Sequence, residues 1–335
     1  HGTKQLLLKP VVDRSTLRDF LKLPSQLYAD DPRWVPPLFF ERRQALSPKN
    51  PFFEHATWQA WVAYDGLTPV GRVSAQIDDL YEQQHGERVG YFGMLEASND
   101  PAVFKALFQK AEGWLRERDA IRAVGPFNLG INQELGILIE GFETPPYFMM
   151  PHGRPYYDSA ITDAGYLPVR DLLAYLIVPD FERPPVMRGL LKRMQPEVEL
   201  RPLDRKNTDA ELEILRDIFN DAWSGNWGFV PFTEAEFNAI GREMLLLIPD
   251  DFIHIAELKG RPAAFIVLLP NLNEAIADLS GRLLPFGWAK LLWRLKVRFP
   301  ASGRVPLMGV RRELHNTRFG PGLAFLVIEA VRQPA

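Results

Sequence analysis

The chain contains no cysteine. Disulfides, thiolate metal sites and cysteine nucleophiles are therefore excluded, and a disulfide-free chain fits the cytoplasm. Histidine is scarce. The six present are scattered, and no pair has the spacing that puts two imidazoles on one helix face to hold a metal. No apolar run is long enough to span a bilayer. There is no excess of positive charge: 39 Lys and Arg stand against 42 Asp and Glu, a net −3, so no bulk basic field gathers nucleic acid. A Gly-x-Ser-x-Gly elbow, a phosphate loop ending in Gly-Lys-Ser/Thr and a paired-histidine zinc helix are also missing. A dinucleotide fingerprint fails because Gly320-Pro321-Gly322 lacks a third glycine and a downstream acidic partner.

What is present is an ordinary globular composition, 46% apolar and 24% charged, over 335 residues, a length comfortable for two domains. Pro179, Pro184, Pro185 and Pro196 punctuate the middle, with Met187–Met194 able to form a connecting helix. This divides the chain into residues 1–180, a connector 181–196 and residues 197–335. The same order of elements reads on both sides.

In the first half, a strand-like run Gln5–Val12 precedes a helix that Ser15 can cap. Trp61–Tyr64 and Val70–Ile77 flank Asp65-Gly66, a hairpin signal. The strand Gly90–Glu96 leads to Asn99-Asp100-Pro101, a capped helix start. Phe104, Leu107, Phe108, Ala111, Trp114 and Leu115 then repeat at helical spacing. Ala120–Phe127 and Leu172–Val178 read as strands, with a short helix Tyr156–Ala164 between them. In the second half, the strand Val198–Leu203 and a helix over Asp209–Trp223 come first. Thr233 and Glu236 form a capping box for a second helix. Phe252–Leu258 and Ala263–Leu269 flank the turn Lys259-Gly260. Val305–Leu314 is a strand, and Gly320-Pro321-Gly322 introduces the apolar helix Leu323–Val331.

Strand, helix, hairpin, strand, glycine turn, helix resembles the fold of the GCN5-related N-acetyltransferases (GNAT). That family's pattern is a basic residue or Gln, two others, Gly, one other, then Gly or Ala, between a strand and a helix. Thr317-Arg318-Phe319-Gly320-Pro321-Gly322 has both glycines, with Thr317 in the basic position and Arg318 one place later. The first half resembles the same fold but passes into its helix without a glycine loop. The whole chain also resembles bacterial acyltransferase-like proteins that carry Leu269-Pro270-Asn271-Leu272-Asn273-Glu274-Ala275 and Leu284-Pro285-Phe286-Gly287-Trp288-Ala289-Lys290, a type associated with bacterial ceramide synthesis.

The resemblance implies an α/β (α+β, mixed-sheet) protein of two tandem GNAT-like domains. The first would be without the cofactor loop, and the second would lack its last strands in this sequence. Tandem arrangements of this kind occur in protein N-myristoyltransferases and peptidoglycan aminoacyl-transferases. It further implies acyl-CoA or acetyl-CoA as co-substrate, no metal, and an amine acceptor. A helix N-terminus carries unpaired N–H groups and partial positive charge, and glycines let a pyrophosphate approach the backbone. On that reading Leu307, Met308, Gly309, Val310, Arg318, Gly320, Gly322 and Leu323 hold the cofactor, with Arg311 and Arg312 adding charge. The alternative is a plain Gly-Pro-Gly turn.

Attack by a neutral amine on a thioester needs a proton acceptor and donors for the oxyanion. Glu313 and His315, just beyond the strand, and Asp278 are the candidate bases. Taken singly, each reads more readily as a solvated surface group. The loop Asn128–Tyr157 gathers Asn128, Asn132, Glu134, His152 and Tyr156 among glycines and prolines. Long irregular polar loops are often functional, though they also arise as connections. Asn271 and Asn273 follow the second domain's hairpin, where acceptors bind in the resembled family. Across Phe286–Phe299, Trp288, Leu291, Leu292, Leu295 and Phe299 share one helical face with Lys290, Arg294, Lys296 and Arg298 around the rest. This suits peripheral contact with an anionic membrane at its inner face, or else a helix packed into its domain with a solvated basic side. The expected reaction is acyl transfer to an amine, with a sphingoid-type lipid, a small molecule or a peptide as acceptor. A ligand-binding module without turnover is the rival.

Overall fold

A computed structural model describes residues 5–332. The chain divides into two compact units: residues 1–173 with 276–289, and residues 174–275 with 290–335.

The first unit is built on a sheet in the order β1 (Leu6–Pro10), β2 (Ala56–Asp65), β3 (Thr68–Asp78), β4 (Gly90–Ala97) and β5 (Ala123–Val124). All pairs are antiparallel except β4 with β5, which is parallel and two residues long. Helix α1 (Arg14–Leu27) starts at Asp13 rather than Ser15. The Asp13 carboxylate accepts from Thr16 N at 2.8 Å, and the Thr16 hydroxyl answers from Asp13 N. Helices α2 (Phe39–Ala45) and α3 (Asp79–His85) are short. Helix α4 (Pro101–Arg116) is capped by Asp100 with proline at its first position, and Phe104, Leu107, Phe108, Ala111 and Leu115 are buried as their spacing requires. They pack on Trp61, Val73, Ala75 and Phe92 of the sheet. The short strands β6 (Phe127–Asn128) and β7 (Glu134–Leu135) pair with each other, and α5 (Tyr156–Asp163) follows.

Two expected strands differ. Ala120–Phe127 is interrupted at Gly125-Pro126, where the proline has no N–H for a ladder. Leu172–Val178 forms no strand. It has no ladder partner among the described residues, and its apolar side chains stay exposed.

In the second unit, α6 (Pro185–Met194) precedes β8 (Val198–Pro202). Helices α7 (Thr208–Trp223) and α8 (Glu234–Leu247) follow, and Thr233 caps the latter, its Oγ1 accepting from Glu236 N at 3.2 Å and donating to the Glu236 carboxylate. Strands β9 (Ile253–Leu258) and β10 (Arg261–Pro270) form the hairpin. Helices α9 (Leu272–Ile276) and α10 (Gly287–Lys296), which enclose the segment 276–289 counted with the first unit, then lead to β11 (Gly303–Val310) and α11 (Phe319–Arg332). The sheet is antiparallel throughout, in the order β11-β10-β9-β8. Helix α11 lays Leu323, Val327 and Val331 on Ala256, Ala264 and Ile266, beside Met194 of α6. Both units thus run strand, helix, hairpin, strand, helix on one mixed α/β plan.

Candidate active site

The geometry of interest is the free edge of β11, the end strand of its sheet among the described residues. Val310 lies opposite Ala264 and Met308 opposite Ile266, and Arg311 N donates to Ala263 O at 2.9 Å. Antiparallel ladders alternate, so bonding at Arg311 and Gly309 turns the N–H and C=O groups of Met308 and Val310 to the outer edge. Both outward carbonyls have partners. Trp223 Nε1 donates to Met308 O at 2.7 Å, and His315 Nε2 lies 2.5 Å from Val310 O. A carbonyl only accepts, so Nε2 carries the hydrogen and Nδ1 of His315 is left as acceptor. What the edge offers outward is N–H.

Glu313 faces Arg261 at 3.3 Å with both side chains well exposed, as a surface ion pair. Asp278 is exposed and belongs to the first unit, whereas Glu313 and His315 belong to the second. Asn271 is buried and spent on structure. Its backbone N–H donates to Ser302 O at 2.9 Å and its side chain to Ser302 Oγ at 3.2 Å. Glu274 accepts from Ala301 N, Ser302 N and Ser302 Oγ, so the two residues fix the turn into β11. Asn273 is half-buried beside them.

The glycine motif behaves differently from its sequence reading. Gly320 and Gly322 are both buried within α11. A Cβ at Gly322 would stand 1.9 Å from Met194 Sδ, and one at Gly320 would stand 2.5 Å from Leu314 O. The missing side chains therefore make room for protein: α11 against α6, and α11 against the turn before it. Phe319 N–H is taken by Thr317 Oγ1 and Gly320 N–H by Thr317 O, while Pro321 has none. Leu323 and Val310 are core residues. Leu307 and Met308 are half-buried, and Gly309 lies against Ala222 and Phe265.

The arginines divide as well. Arg311 bonds Pro262 O and Asp217, and Arg312 bonds Ser224 Oγ while its N–H meets Asp221. Both tie β11 to its own unit. Arg318 presents its guanidinium outward, 77% exposed, with Glu197 3.7 Å away.

In the first unit, the polar loop converges on β4. Met94 sits at φ 49°, a left-handed bulge in that strand, and its N–H is taken by Asn128 Oδ1 at 2.7 Å. Asn128 Nδ2 donates to Glu134 at 3.0 Å, and Arg42 lies 3.6 Å from the same carboxylate. Tyr156 donates to Ala97 O, and His152 Nε2 meets Asp31 at 2.8 Å. Asn132 is half-buried nearby in the chain. The structure therefore joins Asn128 to Glu134 and gives His152 and Tyr156 separate partners.

The sequence reading missed Glu96, a carboxylate inside an apolar strand, which is itself the signal that could have found it. Glu96 Oε2 accepts from Tyr28 at 2.7 Å and Tyr157 at 2.5 Å, and Arg72 is its cross-strand neighbour. Burial pushes the Glu96 and Glu134 carboxyls above the ordinary carboxylate range, against the pull of Arg72 and Arg42. Among the described residues, no group of three or more His, Asp or Glu is placed to hold a metal.

No family model matches the chain. It is 51% identical over 331 residues to Protein YghO of Escherichia coli K12, covering 98% of this chain and 85% of that one. It is 47% identical over 329 residues to the bacterial ceramide synthase of Caulobacter vibrioides, covering 97% and 86%. This chain belongs to the bacterial ceramide synthase family. By class the chain is an N-acyltransferase. Among solved structures, a tandem GNAT protein from the clavulanic acid pathway matches 98% of this chain and 86% of its own at 13% identity and TM-score 0.47. A putative acetyl transferase from Pyrococcus furiosus matches 52% of this chain at 16% identity and TM-score 0.33.

Proposed function

We propose that this protein transfers an acyl group from an acyl-CoA thioester to the amine of a sphingoid-type lipid at the inner face of the membrane. The likeness to a named ceramide synthase along nearly the whole chain supports the acceptor. The observation that carries the chemistry is the outer edge of β11, where both carbonyls are covered and the N–H groups of Met308 and Val310 face out.

On this reading the thioester carbonyl lies along Leu307–Val310. The amine lone pair attacks its carbon, and the carbonyl oxygen gains negative charge opposite the two N–H donors. His315 Nδ1 takes the proton from the nitrogen, the C–S bond breaks, and the coenzyme A thiolate leaves, taking up a proton in turn. Glu313 is held to Arg261 and serves less well as the base, and Asn273, in the same unit, is an acceptor-side candidate. The phosphates of coenzyme A meet Arg318 at the start of α11. The two glycines act indirectly, by letting that helix end pack close to the strand. In the first unit Asn128 occupies the equivalent N–H, so that unit supports rather than catalyses.

The test is thiol release with a series of acyl-CoA lengths and a sphingoid amine in mixed micelles, the amide being identified by mass spectrometry. Turnover confined to acetyl-CoA with small or peptidic amines would replace the lipid assignment. Ligand binding without thiol release on any amine would replace catalysis with a binding role.

A further inference from the structure

Helix α10 violates the usual rule for a surface helix. Its residues are apolar enough to pack inward, yet Leu295 is its one fully buried side chain. The expected apolar stripe is split. Leu291 and Leu295 turn inward, while Trp288, Leu292 and Trp293 are each about half exposed, at 51, 51 and 52%. The flanking residues continue this surface. Phe286 precedes the helix at 72% exposed, and Val297 and Phe299 follow it at 65 and 49%. Trp288 Nε1 donates to Pro285 O at 3.0 Å, so its indole presents carbon outward with its polar atom already satisfied. Phe299 adopts φ 43°, a conformation an aromatic residue rarely takes, and is left half in solvent there.

Charge accompanies the apolar face. From Leu279 to Arg312 there is no Asp or Glu, in a chain whose net charge is −3. Lys290 and Arg298 are exposed at the two ends of the patch, and Arg282 is exposed just before it. Lys296 lies among the exposed apolar residues and donates to Leu246 O at 3.1 Å, beside the exposed Leu246 side chain. Tryptophans with lysine and arginine at their margin are the composition of a surface seated between lipid headgroups and acyl chains. A protein partner needs a shaped, neutralised interface. Along its own stretch of chain this face carries charge of one sign only, which an anionic bilayer complements.

We propose that α10 and its flanks dock this protein reversibly on an anionic lipid bilayer. Phe286, Trp288 and Trp293 enter the interface, and Lys290 and Arg298 contact the headgroups. The purpose rests on the lipid-amine reading above, but the physics does not.

The experiment is flotation of the full-length protein with phosphatidylglycerol–phosphatidylcholine vesicles carrying no amine substrate, compared with phosphatidylcholine alone. Binding to the anionic vesicles, weakening as salt rises, and quenching of tryptophan emission by brominated lipid are expected. K290E/R298E should lower the affinity about tenfold or more at low salt and much less at high salt. W288A/W293A should abolish quenching. Both variants should keep wild-type thermal melting and wild-type thiol release with a soluble short-chain amine, so loss of docking is read apart from loss of chemistry. Three results would overturn the proposal: no flotation of the wild type with anionic vesicles, equal flotation of K290E/R298E, or a solution dimer that W288A/W293A dissociates. The last would make a second copy of the chain the occupant.

Discussion

The two units place a strand of the same order, β4 and β11, in front of a long helix, and they treat its outer edge in opposite ways. At β4 the exposed N–H is consumed. Met94 donates to Asn128, Asn128 is braced by Glu134, and the strand's carboxylate, Glu96, is held by two tyrosines. At β11 the side chains of Trp223 and His315 cover carbonyls instead. One edge is closed by its own chain and rigidified, and the other is left donor-rich. The same backbone plan yields a closed or a donor-rich edge according to which of its hydrogen-bonding groups the side chains satisfy.

The sharpest break in this comparison is at Gly322. Gly322→Val places a branched side chain where Met194 Sδ already sits, so destabilisation of about 3 kcal/mol or more is expected by urea unfolding. Met194→Ala in the same chain should return part of it, whereas a pure cofactor role for the glycine predicts no such rescue. Next is His315→Ala, which should slow acyl transfer about a hundredfold while leaving the unfolding midpoint nearly unchanged, since the residue is exposed. Glu313→Gln serves as its control. It removes a surface ion pair and should change both rate and stability little, within about 1 kcal/mol. An equal rate loss in the control would move the base to Glu313.

Opening the closed edge is the complementary test. Asn128→Ala strands the Met94 N–H and removes a donor from Glu134, at a cost of about 1–3 kcal/mol. Thiol release by the second unit should survive in proportion to the folded fraction, which combined urea and activity curves would show.

The smallest effect is a pH dependence. Burial raises the Glu96 pKa in the folded state, so the folded protein holds that proton more tightly than the unfolded chain does. Its contribution is full below the unfolded carboxylate pKa and is lost as pH rises through the folded value. Glu96→Gln should therefore flatten the fall of Tm with rising pH above the ordinary carboxylate range. An unchanged slope would assign that fall to Glu134.

Elements with strong local chemistry were legible in the sequence. The Asp100-Pro101 start and the spacing of Phe104 to Leu115 dictate α4 whatever surrounds it, and Thr233 with Glu236 dictates the start of α8. Leu172–Val178 was not legible, because an apolar run becomes a strand only if an edge is there to receive it. The roles of Arg311 and Arg312 were hidden for a similar reason. Their partners Asp217 and Asp221 lie about ninety residues earlier, on α7. The glycines mark a close approach to the backbone, but spacing along the chain does not say what approaches, and here it is Met194 and Leu314. The direction in which α10 turns its tryptophans was likewise invisible, since a helical wheel has no outside until tertiary packing supplies one.

The pair of side chains over the β11 carbonyls has a consequence for solubility. An arriving strand must find donors and acceptors in alternation to add itself to a sheet. With Trp223 on Met308 O and His315 on Val310 O, that end of the edge offers only half of the required pattern. A neighbouring molecule's strand would have to leave its own N–H groups unpaired against the covered carbonyls or tear the indole and imidazole away. The arrangement that leaves only N–H groups outward thus also makes that end of the edge a poor template for strand addition.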